Sequence, residues 1–186
     1  MEIWVARHGE TDWNRAGRFQ GNGDMPLNAR GRAQASALAD AVREAGIGAV
    51  YTSDLPRALE TAAIIAQALR LPAPIADTRL RERALGPFQG LTYAEAAAQT
   101  GRSLNEGGWV DLDGADGVEP DDAVLKRLLA ACSDIAAAWP DVRILAICHG
   151  SAMAALERGL GGGAERRPLT NGALFRVLRD PEWRLI

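Results

Sequence analysis

A chain of 186 residues with a net charge of −3 suits one domain and can bury roughly 70 % of the surface its unfolded form exposes. No apolar run approaches the roughly 20 residues that span a bilayer, and the mild negative charge exerts no global pull on nucleic acid or anionic lipid. Of its 21 basic residues only Lys126 is a lysine, which leaves no G-x-x-x-x-G-K-S/T phosphate loop and no good Schiff-base lysine.

Residues 2–6 (EIWVA) read as a buried strand that starts almost at once, with no basic region and hydrophobic stretch before it. A soluble cytoplasmic protein is therefore expected. The strand runs into Arg7-His8-Gly9. Asn28 to Ala45 follows as a helix with Leu38, Val42 and Ala45 on one side and Gly46 as its stop. Residues 49–52 form a second strand. Ser53 or Asp54 can cap the next helix, with Pro56 in its first turn and Ile64, Ile65 and Leu69 as its apolar face. Residues 75–78 make a short strand. Residues 100–122, rich in Gly, Asp and Glu, read as an irregular, lid-like excursion over one end of the sheet. Pro120 opens a helix whose apolar spacing persists until Pro140. Residues 143–148 (RILAIC) form a buried strand, a helix runs from about Ser151 to Arg158, and 173–178 is a further strand. Trp183 to Ile186 can add an edge strand.

This alternation predicts a single α/β domain over residues 1–186, a three-layer α/β/α sandwich with a mostly parallel sheet between helices. Ligands in such sheets sit beyond the carboxyl ends of the strands. Arg7-His8-Gly9, Ser53 to Arg57 and His149-Gly150 all follow strands, so all three are placed on that edge.

Cys132 and Cys148, the only cysteines, suit neither a zinc knuckle nor a C-x-x-C pair. Cysteine phosphatases need an arginine six positions after the thiol, and Ala138 and Ala154 stand there instead. Both thiols are read as small buried apolar groups.

The two histidines of the chain, His8 and His149, both precede glycine at a strand exit, where glycine lets the backbone turn and approach a ligand closely. Arg7 beside a buried strand needs an anionic partner: Glu10, Asp12 or Asp54 in a structural ion pair, or a bound phosphate or carboxylate. Arg57 has the same choice between Asp54 or Glu60 and an anion. Glu82, between Arg81 and Arg83, is most simply a solvated charged turn, and Asn14, Gln20 and Gly21 are ordinary loop residues when taken alone. Two imidazoles and two guanidiniums are unfavourable around a divalent metal. Around a phosphoryl group they are favourable, each unit charge pair at 4 Å gaining about 4 kcal/mol at an effective dielectric of roughly 20. Phosphate monoesters hydrolyse so slowly unaided that a site with several cations is needed.

The ordered blocks Arg7-His8-Gly9-Glu10-Thr11, Trp13-Asn14, Gln20-Gly21, Ser53-Asp54-Leu55, Arg57-Ala58, Leu80-Arg81-Glu82, Gly90-Leu91-Thr92 and His149-Gly150 resemble the histidine phosphatase superfamily. The branch they resemble contains the cofactor-dependent phosphoglycerate mutases and their phosphatase relatives. The resemblance implies His8 as nucleophile, forming a phosphohistidine, with Arg7, Arg57, His149 and Asn14 around the phosphoryl group. It implies Glu82 as proton donor, places Gln20, Gly21 and Asn171 near the substrate, and calls for no metal and no nucleotide. Phe88-Gln89-Gly90 replaces the common Trp-Glu-Gly, and Val118-Glu119-Pro120 stands where Gly-Glu-Ser is often found. Neither departure falls on the proposed phosphoryl pocket.

Mutases of that branch carry a longer insertion with basic residues. Here the excursion holds Arg102 and then seven acids from Glu106 to Asp122, which are expected to repel a polyanion. A phosphomonoesterase acting on a small phosphorylated metabolite is therefore expected. A mutase primed by 2,3-bisphosphoglycerate is the alternative, and a non-catalytic phospho-ligand module is the second. Trp109, Phe88 and Trp13 are candidates for an apolar wall at the site. The chain is expected to act as a monomer or homodimer without nucleic-acid or membrane partners.

Overall fold

A computed structural model describes residues 1–161 and 169–186. Six strands form one sheet: β1 (Glu2–Arg7), β2 (Ile47–Thr52), β3 (Ile75–Ala76), β4 (Arg143–Cys148), β5 (Leu174–Arg179) and β6 (Trp183–Leu185). Their order is β3-β2-β4-β1-β5-β6. The first four are mutually parallel, and β5 and β6 add an antiparallel edge. The mostly parallel sheet is as expected, but the strand at 75–78 contracts to two exposed residues.

β4 shows why a buried parallel strand reads as an unbroken apolar run. Ile144, Ala146 and Cys148 point into one core, and Leu145 and Ile147 point into the other. On the first face lie α5 (Asp121–Ala138) and α6 (Gly150–Gly159), on the second α2 (Ala29–Ala41) and α3 (Pro56–Leu69). Leu128, Ile135, Met153 and Leu156 fill one side; Leu38, Val42, Ala62 and Ile65 fill the other.

The end of α2 and the start of α3 differ from the sequence reading. α2 stops at Ala41, and the chain tightens into a 3-10 turn, Arg43–Ala45, before Gly46 enters the left-handed region at φ 68°. α3 is preceded by Leu55 at the cap position rather than by a polar residue. Ser53 acts one step earlier, its Oγ accepting from the Leu55 N–H. Two further helices carry no long apolar stripe. α1 (Asp12–Arg15) is a single turn closed by a capping box between Thr11 and Asn14. α4 (Tyr93–Thr100) is closed the same way by Thr92 and Glu95.

The excursion at 100–122 begins on the last residue of α4 and has no regular structure from Gly101 to Pro120, but it is packed. Val110, Leu112 and Val118 bury with Leu85, Phe88 and Ala96 in a third core, separate from the two that flank the sheet. Phe88 is therefore a core residue and not an apolar wall for a ligand. Several acids of this segment are neutralised: Asp113 and Asp121 pair with Arg83, Asp121 also with Arg158, and Glu119 with Arg127. The expected repulsive acidic surface is thus reduced from within.

Gly9 departs from expectation as well. A Cβ there would lie 2.3 Å from the Gly31 carbonyl oxygen, and one on Gly31 would lie 2.1 Å from that of Glu10. The two glycines admit each other's backbone, joining the exit of β1 to the first turn of α2. Gly31→Ala, which forces those backbones apart, is expected to cost about 1–3 kcal/mol or more, read as a lower urea midpoint at unchanged m-value.

Candidate active site

β1 and β4 are adjacent and parallel, with Arg7 opposite Cys148. The next residue on each strand is a histidine. Strands lie about 4.8 Å apart, and the ring centroids of His8 and His149 are 5.0 Å apart. The pairing register itself brings the two imidazoles together.

Arg57 completes the group from the first turn of α3. It is fully buried, and it pairs with neither Asp54 nor Glu60: Asp54 is held by Arg81 and Glu60 by Arg32. Its Nη1 donates to the Gly23 carbonyl and its Nη2 to that of Gly21, each at 2.7 Å. Its Nε donates to His8 Nε2 at 3.1 Å. A guanidinium only donates, so Nε2 must present its lone pair and Nδ1 must carry the ring proton. That proton is donated to the Gly9 carbonyl oxygen, 2.6 Å away. The His8 tautomer is set from both ends, with Nε2 as the available base.

Arg7 also lacks a carboxylate partner among the described residues. Its Nη1 donates to the Leu169 carbonyl, and its buried Nε has no partner. A Cβ on Gly150 would come within 3.2 Å of this guanidinium, so the glycine after His149 makes room for Arg7. Both nitrogens of the buried His149 ring are unpartnered too. Orphaned buried donors of this kind are costly and uncommon. Burial draws both arginines below their usual range, Arg57 to about 10, while the Glu82 carboxylate opposes the shift. Burial, then the neighbouring guanidiniums, pushes both histidines well below 6.5.

Glu82 is only 8 % exposed, which rules out a solvated turn. Its Oε1 accepts from the N–H groups of Arg83 and Ala152, and its Oε2 accepts from Ser151. It thereby caps α6 from another element, a favourable place for a carboxylate. An ionised carboxylate has about four acceptor positions. Three are occupied, and the spare one is on Oε2.

Asn171 donates from Nδ2 to the His8 carbonyl at 3.1 Å and to Asn14 Oδ1 at 3.2 Å. Thr11 Oγ1 donates to Gln20 Oε1 and Thr11 N to Asn14 Oδ1, so both amide oxygens are engaged from the protein side. Gly21 contributes its carbonyl to Arg57. Gln89 is closer to the site than the sequence reading placed it: its Oε1 accepts from Asn22 N, beside the carbonyls that hold Arg57. Three contributors had no assigned role from sequence. Thr11 links Asn14 and Gln20. Thr61, one turn after Arg57, accepts from Gly9 N and donates to the Arg57 carbonyl. Arg127 donates to the Glu82 carbonyl. The i+4 spacing of Thr61 was a usable signal; Arg127 had none.

The arrangement offers an unprotonated imidazole nitrogen and two cations with donors to spare, Arg57 fully buried and Arg7 partly so, which suits a tetrahedral oxyanion. Both cysteines are buried, and burial raises both thiols, Cys132 to about 12, which suits no thiolate chemistry. Among the described residues no three His, Cys, Asp or Glu side chains gather as a metal site would need, and no helix is long and apolar enough to cross a membrane.

A sequence model of the histidine phosphatase superfamily (branch 1) matches residues 3–181. Phosphoglycerate mutase-like protein 4 of Arabidopsis thaliana is 37 % identical, over 98 % of this chain and 82 % of its own. The metal-independent phosphoserine phosphatase of the same plant is 35 % identical, over 98 % and 78 %. A mycobacterial glucosyl-3-phosphoglycerate phosphatase solved with VO3 superposes with a TM-score of 0.83 at 27 % identity, covering 99 % of this chain and 96 % of its own.

The histidines yield a prediction. Each ring is neutral when folded but protonates near 6.5 when unfolded, so the unfolded chain binds more protons below that pH. Stability should therefore fall as the pH drops below about 6.5, and NMR titration of the folded protein should show no imidazole midpoint near that value.

Proposed function

Since the chain belongs to the histidine phosphatase superfamily, branch 1, we propose that it is a metal-independent phosphomonoesterase working through a phosphohistidine on His8. The observation that carries this reading is the tautomer lock: Nε2 is held as an acceptor by Arg57, and the buried groups beside it, Arg7 Nε and both nitrogens of His149, lack partners.

Nε2 attacks phosphorus as the bond to the ester oxygen breaks. Arg7 and Arg57 neutralise the charge on the phosphoryl oxygens, and His149 and Asn14 help to orient them. Glu82, carrying a proton at its spare Oε2 position when the ester binds, protonates the departing alkoxide and then accepts a proton from the water that attacks the phosphohistidine. Inorganic phosphate leaves and His8 is restored. Gln20, Gly21 and Asn171 bound the space for the rest of a small phosphorylated substrate. Phosphoserine and glucosyl-3-phosphoglycerate, the substrates named for relatives, head the compounds to test. No cofactor enters these steps.

A mutase reading has the support of a relative's name, and it would require 2,3-bisphosphoglycerate. Against it, the one arginine of the excursion, Arg102, ties its Nη1 to the carbonyls of Asp111 and Asp113 in its own segment. A phospho-binding module that performs no chemistry would have no use for a proton donor at Glu82.

His8→Ala should abolish phosphate release from p-nitrophenyl phosphate, and a rapid quench of the unaltered protein should trap acid-labile, base-stable phosphate on His8. Activity should survive a chelator. Incubation with 3-phosphoglycerate and 2,3-bisphosphoglycerate should release phosphate rather than build up 2-phosphoglycerate; the opposite outcome assigns a mutase.

A further inference from the structure

Glu82 lies on a segment, residues 81–85, that belongs to no regular element. Backbone groups in such a segment still need partners when buried, and one side chain of α5 supplies those of the Arg81 and Glu82 carbonyls. Arg127 Nη1 donates to the carbonyls of Arg79 and Arg81 at 2.6 and 2.7 Å, and Nη2 donates to that of Glu82 at 3.1 Å. Its remaining donors meet the Glu119 carboxylate, Nε to Oε1 at 2.8 Å and Nη2 to Oε2 at 3.0 Å. These contacts use all of the roughly five donors a guanidinium has.

Glu119 grips the far side of the same segment. Its Oε2 accepts from Ala84 N, its own N–H donates to the Ala84 carbonyl, and its carbonyl accepts from Arg83 Nε. The chain around Glu82 is thus held on both flanks, while the carboxylate itself docks on the first turn of α6. The described hydrogen bonds and ion pairs of Arg127 fall on the backbone of residues 79–82 and on Glu119, while its charge, the last of several causes after burial, also helps to draw the His149 imidazole down.

We propose that Arg127, braced by Glu119, is the positioning residue for Glu82, fixing the carboxylate where it can protonate the leaving group. The proposal rests on the reading of Glu82 as proton donor. The excursion then has a part in the chemistry, because Glu119, near its end, ties the third core to the catalytic acid. A lysine cannot replace the fork, because an ammonium has three donors and no planar geometry.

The test compares kcat/KM, which reports steps up to departure of the leaving group, for two substrates. An alkyl phosphate such as phosphoserine expels an alkoxide that needs a proton; 2,4-dinitrophenyl phosphate expels a stable anion that does not. In Arg127→Ala the ratio of alkyl to dinitrophenyl kcat/KM should fall by roughly 10- to 100-fold, as expected when general-acid assistance is lost. Glu82→Gln should lower the same ratio at least as far. Arg127→Lys and Glu119→Gln should lower it less, and they carry the test if the alanine variant does not fold. A parallel loss on both substrates, or no loss, in folded Arg127 and Glu119 variants overturns the proposal. If those variants keep the ratio while Glu82→Gln lowers it, the positioning role fails and the phosphatase reading stands. If Glu82→Gln leaves the ratio unchanged, the proton-donor reading falls and the positioning role with it.

Discussion

One hydrogen bond organises the site, the one donated by Arg57 Nε to His8 Nε2. It is unusual in setting a cation against a ring nitrogen with no carboxylate between them, and it is tolerable because the imidazole is neutral. The same contact, with burial, discourages protonation of His8, so cation and base reinforce one another. Two loop carbonyls, Gly21 and Gly23, hold the rest of the guanidinium without cancelling its charge. Backbone oxygens satisfy geometry and leave the field nearly intact, whereas an ion pair would have neutralised the site before any substrate arrived. The positive potential is kept at the expense of burial.

The sheet supplies the precision. His8 and His149 extend neighbouring strands by one residue each, and their separation follows from strand spacing rather than from side-chain packing. Glycines then clear the surroundings: Gly9 against α2, Gly150 against Arg7. Substitution at either position would act on the backbone or on the cation.

Much of this could be read from the chain alone because strand exits carry local signatures. RILAIC ends in His-Gly, EIWVA in Arg-His-Gly, and the rule that ligands bind at carboxyl ends did the rest. Helix ends were less legible where the final turn tightened, as at Arg43–Ala45, or where no polar cap was used, as at Leu55. α4 and the third core escaped notice because Val110, Leu112 and Val118 are separated by glycines and acids with no helical or strand period. Glu82 read as solvated because its partners are amide protons on α6, which no local pattern reveals. Arg127 was hidden for the same reason: its acceptors are main-chain carbonyls nearly fifty positions away, and in sequence it is one more polar residue on an amphipathic helix.

The separate third core has a consequence for how such a chain can change over generations. Its interior is made from residues 85–118 with help from Phe19, and none of these side chains fills the layers against the sheet. Mutational drift there can remodel the segment between α4 and Val118 while the layers against the sheet stay in place, so long as Glu119 keeps its hold on Arg83 and Ala84. One architecture can then diversify into enzymes with different preferences by rebuilding an appendage rather than a scaffold.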